Sequence, residues 1–197
     1  MPRLTPETKT ERRQRLIEAA RRCLAHRSFR TLTVDDVCAE AGVSKGAFYG
    51  YFVRKQDLLF ALLDDEDATT RDLMQGLEAG HLTGVERLRR FIRAMVKRGS
   101  DPSGLQIQTD LWVEMATDPA VRAHWADAVR ERRGVLRAWV EDGVASGELT
   151  EIPANAFAAI LLALGDGLPL HAGLDPNGFR WANVGRALDA LLEGIRR

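Results

Sequence analysis

Along almost the whole chain, apolar residues recur at three- and four-residue spacing, the pattern of helices that bury one stripe. Leu16, Ile17, Ala20, Cys23 and Leu24 make a first stripe, with arginines on the opposite face. Phe29 and Leu32 follow in a short connection. Thr33 then reads as an N-cap, with Asp36 in capping-box position. The second helix buries Val34, Val37, Cys38 and Ala41 and stops at Gly42. Ser44 caps a third helix through Phe48 and Tyr49, and Arg54-Lys55-Gln56-Asp57 opens a fourth, striped by Leu58, Leu59, Leu62 and Leu63.

The rest of the chain repeats this grammar. Val85, Leu88, Phe91, Ile92, Met95 and Val96 make a fifth stripe. Leu105, Ile107, Leu111, Trp112 and Met115 mark a further helix over 103–117. Asp118-Pro119 reads as N-cap and first turn of a long helix through Val121, Trp125, Leu136, Trp139 and Val144, ending near Gly147. Pro153 starts a helix that is apolar almost all round, and Val184, Leu188, Leu191, Leu192 and Ile195 line the last one. No period-2 alternation bounded by turns appears, and no internal repeat. The expected fold is all-α with about nine helices.

The length, 197 residues with 45% apolar side chains, suits a folded chain with a sizeable core. Cys23 and Cys38 lie inside apolar patterns without metal-ligand spacing, so no disulfide scaffold or zinc finger is expected. No apolar run approaches the roughly 20 residues that span a bilayer, and Met1–Glu7 has no signal-peptide core. A cytoplasmic, reduced protein without membrane attachment is the expectation. The balanced charge of 28 basic and 28 acidic side chains hides an asymmetry. Residues 1–55 hold twelve basic against six acidic side chains, which leaves sixteen against twenty-two for 56–197. A basic head on an acidic body can lean one end against a polyanion.

Spacing decides what that head does. Two short helices joined by Ala41-Gly42-Val43-Ser44 have the parts of a helix-turn-helix. They are a small residue before the turn, a Gly able to take positive φ, an apolar plug and a polar cap. The second helix of such a unit enters the major groove by its N-terminal end. Its early residues here, Ser44-Lys45-Gly46-Ala47, are small or cationic, so the backbone can come close to DNA.

The run from Thr33 to Leu58, within a match over roughly 11–60, resembles the DNA-binding head of the TetR-type bacterial transcriptional regulators. The turn, the aromatic pattern Phe48-Tyr49-Gly50-Tyr51-Phe52 and the Lys55-x-x-Leu58 start of the fourth helix coincide with that family's pattern. Gly50 stands where the family often has a second aromatic or a His. The resemblance implies a helix-turn-helix domain over 1–55 and a helical ligand-binding and dimerisation domain over 56–197. It further implies a homodimer that binds a palindromic double-stranded DNA operator and is released by a small-molecule effector, repression being the usual mode.

On that reading Thr33 and Ser44 cap their helices and touch phosphates, and Lys45 reads a base edge or holds a neighbouring phosphate. Gly46 permits close approach, while Tyr49 meets a phosphate or a thymine methyl. Tyr51 and Lys55 grip phosphates, Arg12 or Arg13 adds to this, and Phe48 and Phe52 belong to the core. In the body, Phe91, Met95, Trp112, Met115, Trp125 and His171 are the candidates to line a pocket for a hydrophobic or aromatic inducer, against the plainer reading that they fill a bundle. The glycine-bearing apolar segment 158–174 and the last helix would form a four-helix seam between two copies. The fourth helix, shared by head and body, would be the lever that couples them.

Two rivals remain at this level. The four histidines form no metal-ligand pair, and there is no phosphate loop, nucleophile elbow or HExxH, so neither an enzyme nor a cofactor is expected. The other rival is a DNA-binding regulator without small-molecule input, controlled by a protein partner or by abundance.

Overall fold

The computed structural model describes residues 6–101 and 103–197. Arg3 and the rest of 1–5, and Pro102, lie outside the described residues, as does the side chain of Ile107. Nine helices run through the described residues: α1 (Pro6–Leu24), α2 (Val34–Ala41), α3 (Lys45–Tyr49), α4 (Lys55–Ala79), α5 (Gly84–Gly99), α6 (Ser103–Thr117), α7 (Pro119–Ala145), α8 (Ala154–Leu174) and α9 (Trp181–Gly194). The fold is all-α, as the periodicity predicts.

The signals that start and stop these helices act as expected. The Asp118 carboxylate accepts the Ala120 N–H at 2.8 Å, which fixes the start of α7 at Pro119. Thr83 and Glu86 close a capping box on α5, and Gly42 ends α2 with φ +67, a left-handed position that favours glycine.

The chain divides into two compact units. The first comprises 1–66 with 106–122, and the second 67–105 with 123–197. In the first, α1 packs on α2 and α2 on α3. Leu16, Ile17, Ala20, Leu24, Phe48, Phe52, Leu58 and Leu62 are buried there. Within this unit Arg21 of α1 binds Asp65 at 2.7 Å and also Glu66, both on α4.

In the second unit α5 packs on α8 and α9, and Val85, Leu88, Ile92, Leu136, Trp139, Val140, Leu161, Leu188 and Leu192 form the core. Gly84 lets α5 approach α7 closely, since a Cβ there would sit 2.2 Å from the Trp139 carbonyl oxygen.

One expectation is corrected. By length and composition α8 is apolar enough to cross a membrane, because its Gly, Pro and His residues interrupt the run without charging it. Asp166 is its one charged side chain. Only 11% of its most apolar window is buried within the chain, and Ile160, Leu170 and Leu174 are exposed, as is Leu191 on α9.

Candidate nucleic-acid interface

The capping box at Thr33 sets the start of α2. The Thr33 hydroxyl accepts the Asp36 N–H at 3.1 Å and donates to the Asp36 carboxylate at 2.6 Å, and the Thr33 N–H donates to the same carboxylate at 2.9 Å. These bonds from the Thr33 hydroxyl and amide, then the Arg27 guanidinium, hold the Asp36 carboxyl below its ordinary range. Both polar groups of Thr33 are therefore engaged inside the chain.

At the turn, Val43 N–H returns to Cys38 O at 3.0 Å, and the Ser44 hydroxyl accepts the Ala47 N–H at 3.2 Å. The first turn of α3 is left facing solvent. Ser44, Lys45, Gly46 and Tyr49 are exposed, whereas Phe48 is fully buried beneath them. Tyr49 stands edge-on to Phe48, with ring centroids 5.5 Å apart, so packing sets the direction of its exposed hydroxyl end.

Gly46 is not demanded by the fold, because a Cβ there would meet only the Ser44 hydroxyl at 3.9 Å. Lys45 is paired with Asp35 at 3.0 Å, and the hydrogen bond it donates to that carboxylate holds the ammonium above its ordinary value. An exposed pair of this kind is weak and is readily exchanged for a phosphate.

Tyr51 is half-buried next to Phe52, which lies under the Arg13 guanidinium at 5.4 Å. Lys55 is placed differently. Its ammonium donates to the carbonyls of Phe29 at 2.6 Å and Leu32 at 2.8 Å, and sits 4.5 Å from the centre of the Phe29 ring. Burial pushes it below its ordinary value. The structure thus gathers Thr33, Ser44, Lys45, Gly46 and Tyr49 at the exposed ends of α2 and α3, and commits Lys55 to the loop before α2.

Sequence reasoning missed the partner of that clamp. The buried Asp110 carboxylate on α6 accepts the Phe29 N–H at 3.0 Å, so the loop is held from α6 as well as from α4. A charge beside Leu111 on an amphipathic helix was the available signal.

The six pocket candidates divide between the two units. Phe91 is buried in the second unit's core against Trp139, and Met95 packs on Gly165. Trp112, half exposed, and Met115 belong to the first unit, and His171 is exposed. Trp125 lies under the Arg132 guanidinium at 4.5 Å. Arg132 itself borders a cavity of about 100 Å³ between α4 and α7, lined also by Asp67, Arg71, Met74, Gln75, Glu78, Glu131 and Val135.

A helix-turn-helix with an exposed, cationic recognition end on an all-helical chain defines the class of DNA-binding regulators. Residues 16–62 match the family model of bacterial regulatory proteins of the tetR family, and residues 84–197, more than half of the chain, match that of the BetI-type transcriptional repressor C-terminal region. The chain belongs to the TetR family and is a transcriptional repressor of that family, a class of regulators rather than enzymes.

Among its relatives is the HTH-type transcriptional repressor AcnR of Corynebacterium glutamicum, 26% identical over 159 residues, covering 80% of each chain. A solved structure of a transcriptional regulator from Pseudomonas aeruginosa PAO1 superposes with TM-score 0.82 at 27% identity, covering 98% of this chain and 92% of that one. Another, a regulator from Saccharomonospora viridis in complex with choline, has TM-score 0.84 at 22% identity and covers 95% and 99%. This last likeness is one of fold.

Proposed function

We propose that the chain represses by binding a palindromic operator as a homodimer, and that a small molecule held in its second unit releases it. The exposed first turn of α3 carries this reading. Ser44, Lys45, Gly46 and Tyr49 share an open surface in which Gly46 has no internal packing duty, so its missing side chain is explained by something that comes close from outside. Thr33 and Ser44 offer phosphate contacts from the helix starts, Lys45 reaches a base edge or phosphate, and Tyr51 adds a contact at the far end. Lys55 and Asp110 position the loop that leads into α2, with Lys55 close enough to the surface for phosphate contact on a small loop movement.

A second copy is the proposed cover of α8 and α9, whose exposed Ile160, Leu170, Leu174 and Leu191 would be buried in an isologous seam. Two recognition helices about 34–36 Å apart then reach successive major grooves. A small-molecule effector is supported by the choline held by a protein of the same fold. The charged lining around Arg132 moves the expected effector from hydrophobic or aromatic toward polar. The helix α4, which carries residues of both units, is the proposed lever.

The test is titration of the purified chain onto DNA from its own upstream region at several salt concentrations. Saturable binding to one palindromic stretch, with a salt slope that falls by about 0.9 per phosphate contact removed, supports the reading. Weak binding that is equal on every sequence refutes it for that DNA. A regulator without small-molecule input is the outcome if specific binding is found and no effector changes it.

A further inference from the structure

We propose that Arg54, the residue before α4, holds a DNA phosphate beside the end of α3, and that its neighbour Lys55 braces the fold instead of meeting the DNA. This rests on the reading of the head as an operator-binding surface and names which of two adjacent cations makes the contact.

Lys55 is fully engaged inside the chain. An ammonium has three hydrogens to donate. Here its partners are the carbonyls of Phe29 at 2.6 Å, Leu32 at 2.8 Å and Arg30 at 3.3 Å. The same charge lies 4.5 Å from the centre of the Phe29 ring. Moving Lys55 to a phosphate would strip those carbonyls of a charge-assisted partner and free one side of the loop that leads to Thr33.

Arg54 has the opposite placement. The chain folds back directly after α3, because the Phe48 carbonyl accepts the N–H groups of Tyr51 at 2.9 Å and Phe52 at 3.0 Å. That return leaves Val53 78% exposed and the Arg54 side chain 65% exposed, within five residues of the exposed Tyr49. Arg13 of α1, whose guanidinium stands over the Phe52 ring at 5.4 Å, is a second exposed cation at this turn.

The Arg54 guanidinium donates to the Asp57 carboxylate at 3.0 Å, and that carboxylate also accepts the Arg54 N–H at 2.8 Å, which caps the start of α4. The amide, ahead of the guanidinium, keeps the Asp57 carboxyl below its ordinary range. When the guanidinium turns to a phosphate, Asp57 therefore keeps its amide partner and α4 keeps its cap. An exposed pair three residues apart is weak, whereas a guanidinium binds a phosphate through two parallel hydrogen bonds. Lys45 on Asp35 repeats the arrangement at the start of α3. The recognition helix is thus bracketed by two exposed cations, each resting on a carboxylate that DNA can replace.

The experiment measures DNA affinity against salt for the purified full-length chain, on duplex from its own upstream region and on an unrelated duplex, with thermal melts alongside. Arg54→Ala should lower the salt slope by about 0.9 for each contact removed, on both duplexes, and weaken binding about tenfold at moderate salt, with an unchanged melt. Arg54→Lys, which keeps the charge, should keep the slope. Lys55→Met should lower the melting temperature and leave the slope as it was. Should Lys55→Met not fold, the brace stands and Arg54→Ala alone decides the contact. The proposal is overturned if Arg54→Ala leaves both slopes unchanged, or if a folded Lys55→Met flattens them as Lys45→Ala does. A lower slope for Arg54→Ala, with no preference between the duplexes, would leave the contact standing and sink the operator reading for that DNA. A preference for the upstream duplex that Arg54→Ala alters in neither slope nor affinity would do the reverse.

Discussion

The first turn of α3 and the middle of α7 both present a basic side chain paired with a carboxylate, on a helix that also carries an aromatic residue, but they use them in opposite ways. At α3 the cation Lys45 is outside, its partner Asp35 is exposed, and the aromatic Phe48 lies underneath as support. At α7 the cation Arg132 is inside, its partner Asp67 is buried, and Trp125 is its platform. Water screens the first arrangement, which makes it exchangeable. The second is poorly screened, so the pairing of Arg132 with Asp67 is less readily exchanged. One pairing is open to exchange with solvent and the other is held within the chain.

Substitutions can break that contrast, and glycines give the cleanest pair. Gly84→Ala places a methyl group against the Trp139 carbonyl and should lower stability by about 2–3 kcal/mol, a fall in melting temperature of roughly 4–12 °C in a thermal melt. An unchanged melt would show that α5 and α7 can part without loss. Lys45→Ala should reduce operator affinity by about tenfold at moderate salt and flatten the salt slope by about 0.9 if it holds a phosphate. An unchanged slope with lost sequence preference would instead make it a base reader.

Gly46→Ala should leave the melt unchanged or raise it slightly, by up to about 1 kcal/mol of helix propensity, while weakening operator binding several-fold. Loss of stability rather than affinity would place Gly46 with Gly84.

The smallest effect belongs to Asp36. Its carboxyl is held low by Thr33, so the folded value lies below the unfolded one. The capping box therefore contributes fully above the ordinary carboxylate range and fades as pH falls through the lowered value. Asp36→Asn should remove that acid dependence from a series of melts between neutral and acidic pH, and persistence of the full dependence would assign it to other carboxylates.

The head was legible because its function lies in its local chemistry. Gly42 at a positive φ, the Thr33 and Ser44 caps and the exposed Lys45-Gly46 are consequences of residues within three or four positions of one another. The helices were legible for the same reason, down to Asp118 before Pro119. The cavity beside Arg132 was not, because its lining comes from two helices far apart in the sequence, α4 and α7. Asp67 follows Leu63 by four residues, and Arg132 falls between Val129 and Leu136 on the buried stripe. Spacing marks these as charges in apolar positions, but it does not say that they meet. Bulk misled in the same way: Phe91 and Trp112 are both large aromatics, yet one is core and the other half exposed.

The bare apolar side of α8 also bears on how such a repressor would be counted in a cell. With a second copy as its cover, each chain is finished only by meeting another, so its persistence depends on how many chains there are. Scarce copies would stand longer with that greasy helix uncovered, as targets for proteolysis, and abundant ones would protect each other. Occupancy of the operator would then fall faster than the number of chains as they are diluted, giving repression a threshold set by mass action.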